Sequence, residues 1–138
     1  MTSDQPAPVA LDEPLVALLR SGATCYLATT MPDGSPQLTQ TWVDTDGENV
    51  VINVVDGMQK ARNVARDPRV AVNVVDPDDV FRFFQVRGRV VRATQEGGEE
   101  GIDALSMKYL GRPYPRFDGG GARLVLTIAA DSVSSPRG

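Results

Sequence analysis

Residues 54–63 place cationic and amide side chains where a strand is expected to give way to a helix. Gly57 permits the sharp turn, and the start of a helix offers free backbone N–H groups at the positive end of its dipole. Lys60 and Asn63 lie three residues apart on one helical face, and Arg62 lies on a neighbouring face. Such a helix start suits a phosphate group, although spacing alone favours the simpler interpretation of a solvated helix face.

A second group of polar side chains lies on expected strands, where apolar or β-branched residues are more common. A flat heterocycle needs an apolar wall for its ring and a few hydrogen-bonding groups for its edge. The same residues suit equally well the outer side of an antiparallel sheet, so both interpretations stay open. The group comprises Gln37, Gln40 and Asn53, with Thr39, Thr41 and Trp42 among them.

The expected strand over residues 80–94 carries aromatic and basic side chains on one face. Phe81 and Phe83 on the outside of a sheet would form an exposed apolar patch, which is typical of an interface. We therefore expect a dimer contact there; the alternative is a reversed register in which this face is core. Gly88 within the strand predicts a bulge or bend. The opposite, core-facing set is expected to be Phe84, Val86, Gly88 and Val90.

The sequence contains no histidine. This removes the commonest general base and the commonest ligand of zinc, copper and haem iron. A Ser-His-Asp or Cys-His nucleophilic enzyme is therefore excluded, and no metal site is expected. The single cysteine, Cys25, is expected to be an inert core thiol. A bound organic cofactor is expected to carry any chemistry, and a small non-catalytic binding domain is the alternative.

Length and composition indicate one globular domain of 138 residues, with 41% apolar and 23% charged residues. The net charge of −4 argues against a nucleic-acid-binding surface. No apolar run is long enough to cross a membrane, and the first residues do not resemble a signal peptide. We expect a cytoplasmic protein, with a flexible tail over residues 1–10, the domain over 11–131 and a second tail over 132–138.

The elements that must position these residues follow a pattern typical of a small barrel. Leucines from Leu11 to Leu19 form one helical stripe, and Gly- and Pro-containing turns separate the strands that follow. Many short antiparallel strands in a chain of this size usually close on themselves, which removes exposed edges. We expect six strands, over residues 23–30, 37–43, 50–55, 69–75, 80–94 and 123–129, with helices over 11–20, 58–66 and 96–110 and a loop over 111–121.

The order and spacing of three segments resemble the split-barrel flavin and deazaflavin oxidoreductases, the superfamily of the pyridoxamine 5′-phosphate oxidases. The likeness runs from about Leu15 to Ile128 and is greatest for the actinobacterial branch that uses coenzyme F420. The segments are Ala-Thr-Thr at 28–30 with Asp-Gly-Ser-Pro-Gln at 33–37, Lys-Ala-Arg-Asn-Val-Ala-Arg-Asp-Pro-Arg at 60–69, and Val-Arg-Gly-Arg-Val at 86–90.

This resemblance implies a mainly β (α+β) fold: a six-stranded antiparallel split β-barrel with short flanking helices, forming a homodimer. It implies an F420-dependent reductase that transfers hydride from the reduced deazaflavin to a small electron-poor organic substrate. The alternatives are an FMN-binding oxidoreductase on the same scaffold and a non-catalytic F420 or flavin carrier. The arginine-bearing strand motif of true pyridoxamine phosphate oxidases is absent from residues 37–43, which favours a reductase.

The resemblance also implies the cofactor-binding positions. Lys60 and Asn63 match positions near the cofactor phosphate, with Arg62 as a companion. Asn53 and Val54 match positions that line the ring. The preceding strand contributes Gln40, Thr41 and Trp42. The helix start contributes Met58, where some relatives carry an arginine. Aromatic positions that reach the cofactor from the partner subunit are matched by Phe81 and Phe83.

Overall fold

The computed structural model describes residues 7–116 and 121–136. Residues 1–6 and 137–138 of the expected tails, and 117–120 of the expected loop, lie outside the described residues. The helices are α1 (Glu13–Arg20), α2 (Gln59–Arg66) and α3 (Gly98–Leu110). The strands are β1 (Thr24–Thr30), β2 (Pro36–Thr41), β3 (Asp44–Thr45), β4 (Val50–Val55), β5 (Arg69–Asp76), β6 (Asp79–Thr94) and β7 (Arg123–Ser134).

The described strands number seven, so the prediction of six is wrong. The additional strand is β3, whose two residues were expected to belong to a turn. The turn itself is tighter, because the Asp46 carboxylate accepts hydrogen bonds from the backbone N–H groups of Glu48 and Asn49. Asp44 and Thr45 are thereby left to pair with the start of β4.

The last strand also runs five residues beyond its expected end at residue 129, to Ser134. Its partner β6 is 16 residues long and offers ladder positions as far as Gln85, opposite Ser134. The pairing register shifts between Arg87 and Gly88, which confirms the predicted irregularity at this glycine. A Cβ at position 88 would overlap the Ala129 carbonyl group, so only glycine allows the two strands to approach this closely.

All the strands form one curled antiparallel sheet in the order β2-β1-β5-β6-β7-β4-β3, a split β-barrel of the α+β class. The edge of β2 and the edge of β4 do not pair with each other in the described sheet. We call the gap between these two edges the seam. Its existence means that the barrel presents strand edges, with backbone hydrogen-bonding groups, at one place on its wall.

The inside of the curled sheet is filled by aliphatic side chains such as Leu27, Ile52 and Leu126, all fully buried. Helix α1 adds its buried leucines to this core, as its predicted stripe requires, and Asp12 caps it by accepting a hydrogen bond from Leu15 N. Cys25 belongs to the same core, which confirms that prediction, and burial raises the pKa of its thiol to about 12.

The predicted alternation of β6 is confirmed. Phe84 and Val86 are buried inside, whereas Phe81 is 72% exposed and Phe83 is half-buried on the other side. The reversed register, in which Phe81 and Phe83 would be core, is therefore wrong. The longest described helix, α3, has 13 residues, and no helix in the described parts of the chain has the length and apolar character needed to cross a membrane.

Candidate functional site

The seam leaves part of β4 without a neighbouring strand. Strand β3 pairs only with Val50 and Val51, whereas β7 accompanies β4 along its whole length. From residue 52 to residue 55, β4 therefore has a strand on one side only in the described sheet. Backbone groups on the open side are available to a ligand, as at any uncovered sheet edge.

A cleft of about 440 Å³ lies at this seam. Its size is within the range of small-molecule and cofactor sites. It is bounded by the end of β2, the open part of β4, the start of α2, and residues of α3, the following loop and β7. The lining residues are Gln40, Thr41, Trp42, Asn53, Val54, Val55, Met58, Lys60, Ile102, Tyr114 and Arg123.

The start of α2 borders the cleft. Gly57, at φ 87°, makes the turn out of β4, and Met58 is the N-cap residue without a side-chain hydrogen bond to the helix. The first intrahelical bond runs from Arg62 N to Met58 O, so the three preceding N–H groups have no partner within the helix. No acidic residue lies in the first turn. The start of α2 is therefore favourable for binding an anion.

Two cationic side chains line the cleft. Burial lowers the pKa of Lys60 below its ordinary 10.5, and the positive charge of Arg123 lowers it further. Arg123 is only 8% exposed, and its Nε donates to Oδ1 of Asn53 at 2.8 Å. None of the described residues that line the cleft carries a carboxylate. The cleft is therefore a local positive region on an acidic protein, which suits an anionic ligand.

An aromatic wall completes the cleft. The ring of Trp42 stacks on that of Tyr109 at 5.2 Å between centroids and 9° between planes. Tyr114 meets Trp42 edge-on at 6.1 Å, and Ile102 packs in the same cluster. These residues give the cleft a flat apolar surface next to its cationic end, the combination that a ring bearing a phosphate requires.

Helix α3 is held against the outer side of β4 and β7 by close backbone contact. Nδ2 of Asn53 donates to Gly98 O at 2.9 Å. A Cβ at position 98 would overlap the Arg123 carbonyl group, so glycine permits this approach. The helix in turn brings Ile102 to the cleft.

The structure brings most of the predicted site residues to the cleft and leaves four elsewhere. Arg62 donates to Gly57 O and to Gln59 Oε1, is exposed, and does not line the cleft. Phe81 and Phe83 lie on β6, outside the cleft of a single chain. The seven predicted residues that do line it are Gln40, Thr41, Trp42, Asn53, Val54, Met58 and Lys60.

Asn63 is fully buried behind the cleft instead of lining it. Its Nδ2 donates to Thr29 Oγ1 at 3.0 Å and to Gln37 Oε1 at 3.2 Å, and its Oδ1 accepts from Gln59 Nε2 at 2.7 Å. The two bonds from Nδ2 join α2 to the β1–β2 hairpin, and the third lies within α2. Asn63 therefore positions the helix, and Gln37 belongs to this network rather than to the cleft wall.

Four lining residues escaped the sequence analysis: Val55, Ile102, Tyr114 and Arg123. Arg123 opens the last strand and stands opposite Val55 in the β4–β7 ladder. An arginine at the start of a strand rich in aliphatic residues was the available signal. Its meaning depended on a pairing between distant strands that local pattern does not reveal.

Comparison with known proteins adds three findings. Residues 11–135 match the protein family described as pyridoxamine 5′-phosphate oxidase. A solved structure described as an F420 reductase is 30% identical, with a TM-score of 0.78, over 90% of this chain and 98% of the other. A conserved hypothetical protein of Mycobacterium tuberculosis, Rv2991, is 26% identical with a TM-score of 0.69, over 95% of this chain and 88% of the other.

A further solved structure has the same fold at lower identity. It is a putative pyridoxamine 5′-phosphate oxidase of Lactobacillus delbrueckii, 19% identical with a TM-score of 0.63, over 91% of this chain and 94% of the other. At this identity the likeness concerns the fold alone.

Proposed function

Because this chain belongs to the pyridoxamine 5′-phosphate oxidase family of split-barrel flavin and deazaflavin oxidoreductases, we propose that it is an F420-dependent reductase. Its substrate would be a small electron-poor organic molecule, such as a conjugated carbonyl compound. The observation that carries the proposal is the cleft at the seam, where a cationic helix start adjoins a flat aromatic wall. The F420 reductase at 30% identity supports the deazaflavin over FMN.

The residues of the cleft fit such a cofactor. Lys60 and the start of α2 would hold its phosphate, since both favour negative charge and no carboxylate among the described lining residues opposes it. Trp42 and Val54 would contact the ring, and the open edge of β4 offers backbone groups to the ring's polar edge. When bound, a deazaflavin supplies the hydride chemistry that no side chain of this protein provides.

The protein's own contribution is therefore position and electrostatics. Its cationic pair, Lys60 and Arg123, attracts and orients an anionic ligand, and the apolar wall excludes water from the ring's face. Histidine is absent from the sequence, so no imidazole takes part in proton transfer. A reducing cytoplasm remains the expected compartment, because the one cysteine is a buried thiol.

We further propose that a second copy of the chain covers the outer face of the barrel, meaning the outward side of β1, β2, β5 and β6. Leu38 on this face is 68% exposed, and Phe81 extends the apolar surface near the start of β6. Oδ1 of Asn73, on the same face, is buried without a hydrogen-bond partner among the described residues. Gln40 belongs both to this face and to the cleft, so a second copy there would lie beside the cofactor.

The test is a pair of titrations followed by a turnover assay. The purified protein is titrated with F420 and, separately, with FMN, and the fluorescence of its single tryptophan and of the cofactor is recorded. We expect saturable binding of F420, tighter than that of FMN. A protein isolated yellow, with preferential FMN binding, would support the FMN-dependent alternative instead.

Turnover separates an enzyme from a carrier. Reduced F420 is incubated with the protein and a panel of electron-poor carbonyl compounds, and oxidation of the cofactor is followed by absorbance. We expect oxidation that requires both the protein and an acceptor. Tight F420 binding without oxidation across the panel would favour the carrier, and failure to bind either cofactor would contradict the proposed function.

A further inference from the structure

Tyr109, on α3, lies behind one of the residues that line the cleft. It does not line the cleft, but its ring stacks on the indole of Trp42, which does. Trp42 follows directly after β2, an edge strand of the described sheet, and lies beyond the last pair of the β1–β2 ladder, Cys25 with Thr41. The orientation of the cleft wall therefore depends on what packs behind the indole.

The Tyr109 ring is itself held from several directions. Its hydroxyl donates to Ala23 O at 2.6 Å and accepts from Val43 N at 3.2 Å. Nζ of Lys108 lies 5.1 Å from the ring centroid and donates to Leu19 O at 2.8 Å and to Val43 O. Since Val43 adjoins Trp42 in sequence, Tyr109 contacts both the indole, through its ring, and the backbone next to it, through its hydroxyl.

We propose that Tyr109 is a positioning residue that holds the Trp42 indole flat as the cleft wall, and so favours a planar fused-ring ligand. The inference rests on the proposed function, because the ring of the bound cofactor is what the wall would contact. Without the stacked tyrosine, the indole gains rotamers that turn it into the cleft or away from it. Burial also raises the pKa of Tyr109 from 10 to about 12, so its hydroxyl remains a hydrogen-bond donor into the alkaline range.

Two substitutions separate the ring from the hydroxyl. Tyr109→Phe keeps the stack and removes the two hydroxyl bonds, whereas Tyr109→Leu removes the stack as well. Leu110→Ala is the matched control, since the neighbouring side chain on the same helix is exposed. In the ligand-free protein, Trp42 is the only tryptophan, so its emission and its quenching by acrylamide report its packing directly.

We expect Tyr109→Leu to increase acrylamide quenching and to weaken F420 binding by roughly three- to tenfold, the scale of one aromatic pair. Tyr109→Phe should fall between this variant and the wild type, and Leu110→Ala should match the wild type. Should Tyr109→Leu not fold, Tyr109→Phe still tests the positioning role, because its ring has lost both hydroxyl anchors: increased quenching would support the role and wild-type quenching would count against it.

A double-mutant cycle tests whether Tyr109 affects F420 binding through Trp42. In a Trp42→Leu background, the same Tyr109 substitutions should have no further effect on F420 affinity. Losses that simply add would overturn the inference, as would wild-type quenching and affinity in both Tyr109 variants. If the wild type binds neither F420 nor FMN, the proposed function fails; if it binds and the Tyr109 variants bind equally well, only the positioning role fails.

Discussion

Arg123 and Asn53 are 70 residues apart in sequence, yet Nε of the arginine donates to Oδ1 of the asparagine at 2.8 Å. The pair is buried and joins β7 to β4 beside the cleft. Through its Nδ2, Asn53 also binds the carbonyl group at the start of α3. The Asn53 amide thus orients the buried Arg123 guanidinium and holds α3, which contributes Ile102 to the cleft.

Asn53→Leu should destabilise the fold by about 3 kcal/mol, because two buried hydrogen bonds are lost, one of them to a charged group. Asn53→Asp should keep the arginine contact but set a carboxylate against Gly98 O, and should weaken binding of an anionic cofactor. Urea unfolding measures the first effect and an F420 titration the second. Two variants as stable as the wild type would contradict the role assigned to Asn53.

Lys60→Ala should weaken F420 binding by about 1.5–3 kcal/mol, the scale of a hydrogen bond to a charged group. Arg62→Ala is the matched control, since it removes a cation from the same helix outside the cleft. Fluorescence titration measures both variants at the same ionic strength. Equal losses in the two variants would show a general effect of charge and remove Lys60 from the site.

The lowered pKa of Lys60 predicts a dependence of stability on pH in the ligand-free protein. A lysine whose pKa in the folded chain lies below 10.5 binds its proton less strongly there than in the unfolded chain. The unfolded chain then binds more protons, so stability rises with pH between the lowered pKa and 10.5. Cys25 and Tyr109, whose pKa values are raised, oppose this rise equally in the wild type and in Lys60→Met, so the measurement is the difference in urea stability between the two proteins. That difference should move in favour of the wild type as the pH rises from neutral to alkaline, and a constant difference would contradict the prediction.

Asn63→Ala should destabilise the fold by about 3 kcal/mol, because it leaves buried polar partners and a cavity between α2 and the β1–β2 hairpin. F420 affinity of the folded protein should change little, since Asn63 does not line the cleft. The measurements are urea unfolding and a titration under stabilising conditions. Normal stability with a tenfold loss of affinity would instead indicate that Asn63 contacts the cofactor phosphate directly, as the resemblance to the family implies.

Phe81→Asp should disrupt the proposed dimer, because a charge would replace an exposed aromatic side chain in the apolar contact. Met107→Asp is the control, an exposed apolar residue on α3 outside the outer face. Sedimentation equilibrium should find the wild type and the control dimeric and Phe81→Asp monomeric, with weaker F420 binding. A dimeric Phe81→Asp that binds normally would argue against this interface.

Local sequence patterns were sufficient for much of the fold. The leucine stripe of α1, the alternation of β6 and the irregularity at Gly88 follow from helix and strand periodicity and from the size of one residue. The change from strand β4 to helix α2 around Gly57 was likewise predicted from the sequence, and Lys60 in the first turn of that helix lines the cleft. These features depend on neighbours within a few residues, which a sequence displays directly.

Periodicity identifies which residues share a face but not which face is buried. Lys60 and Asn63 were expected to act together, yet the hairpin of β1 and β2 packs against Asn63 and leaves Lys60 at the cleft. The tertiary structure alone decided this division. The same holds for Arg123 with Asn53 and for Tyr109 with Trp42, because those contacts arise from the pairing of β4 with β7 and the docking of α3, between segments far apart in the chain.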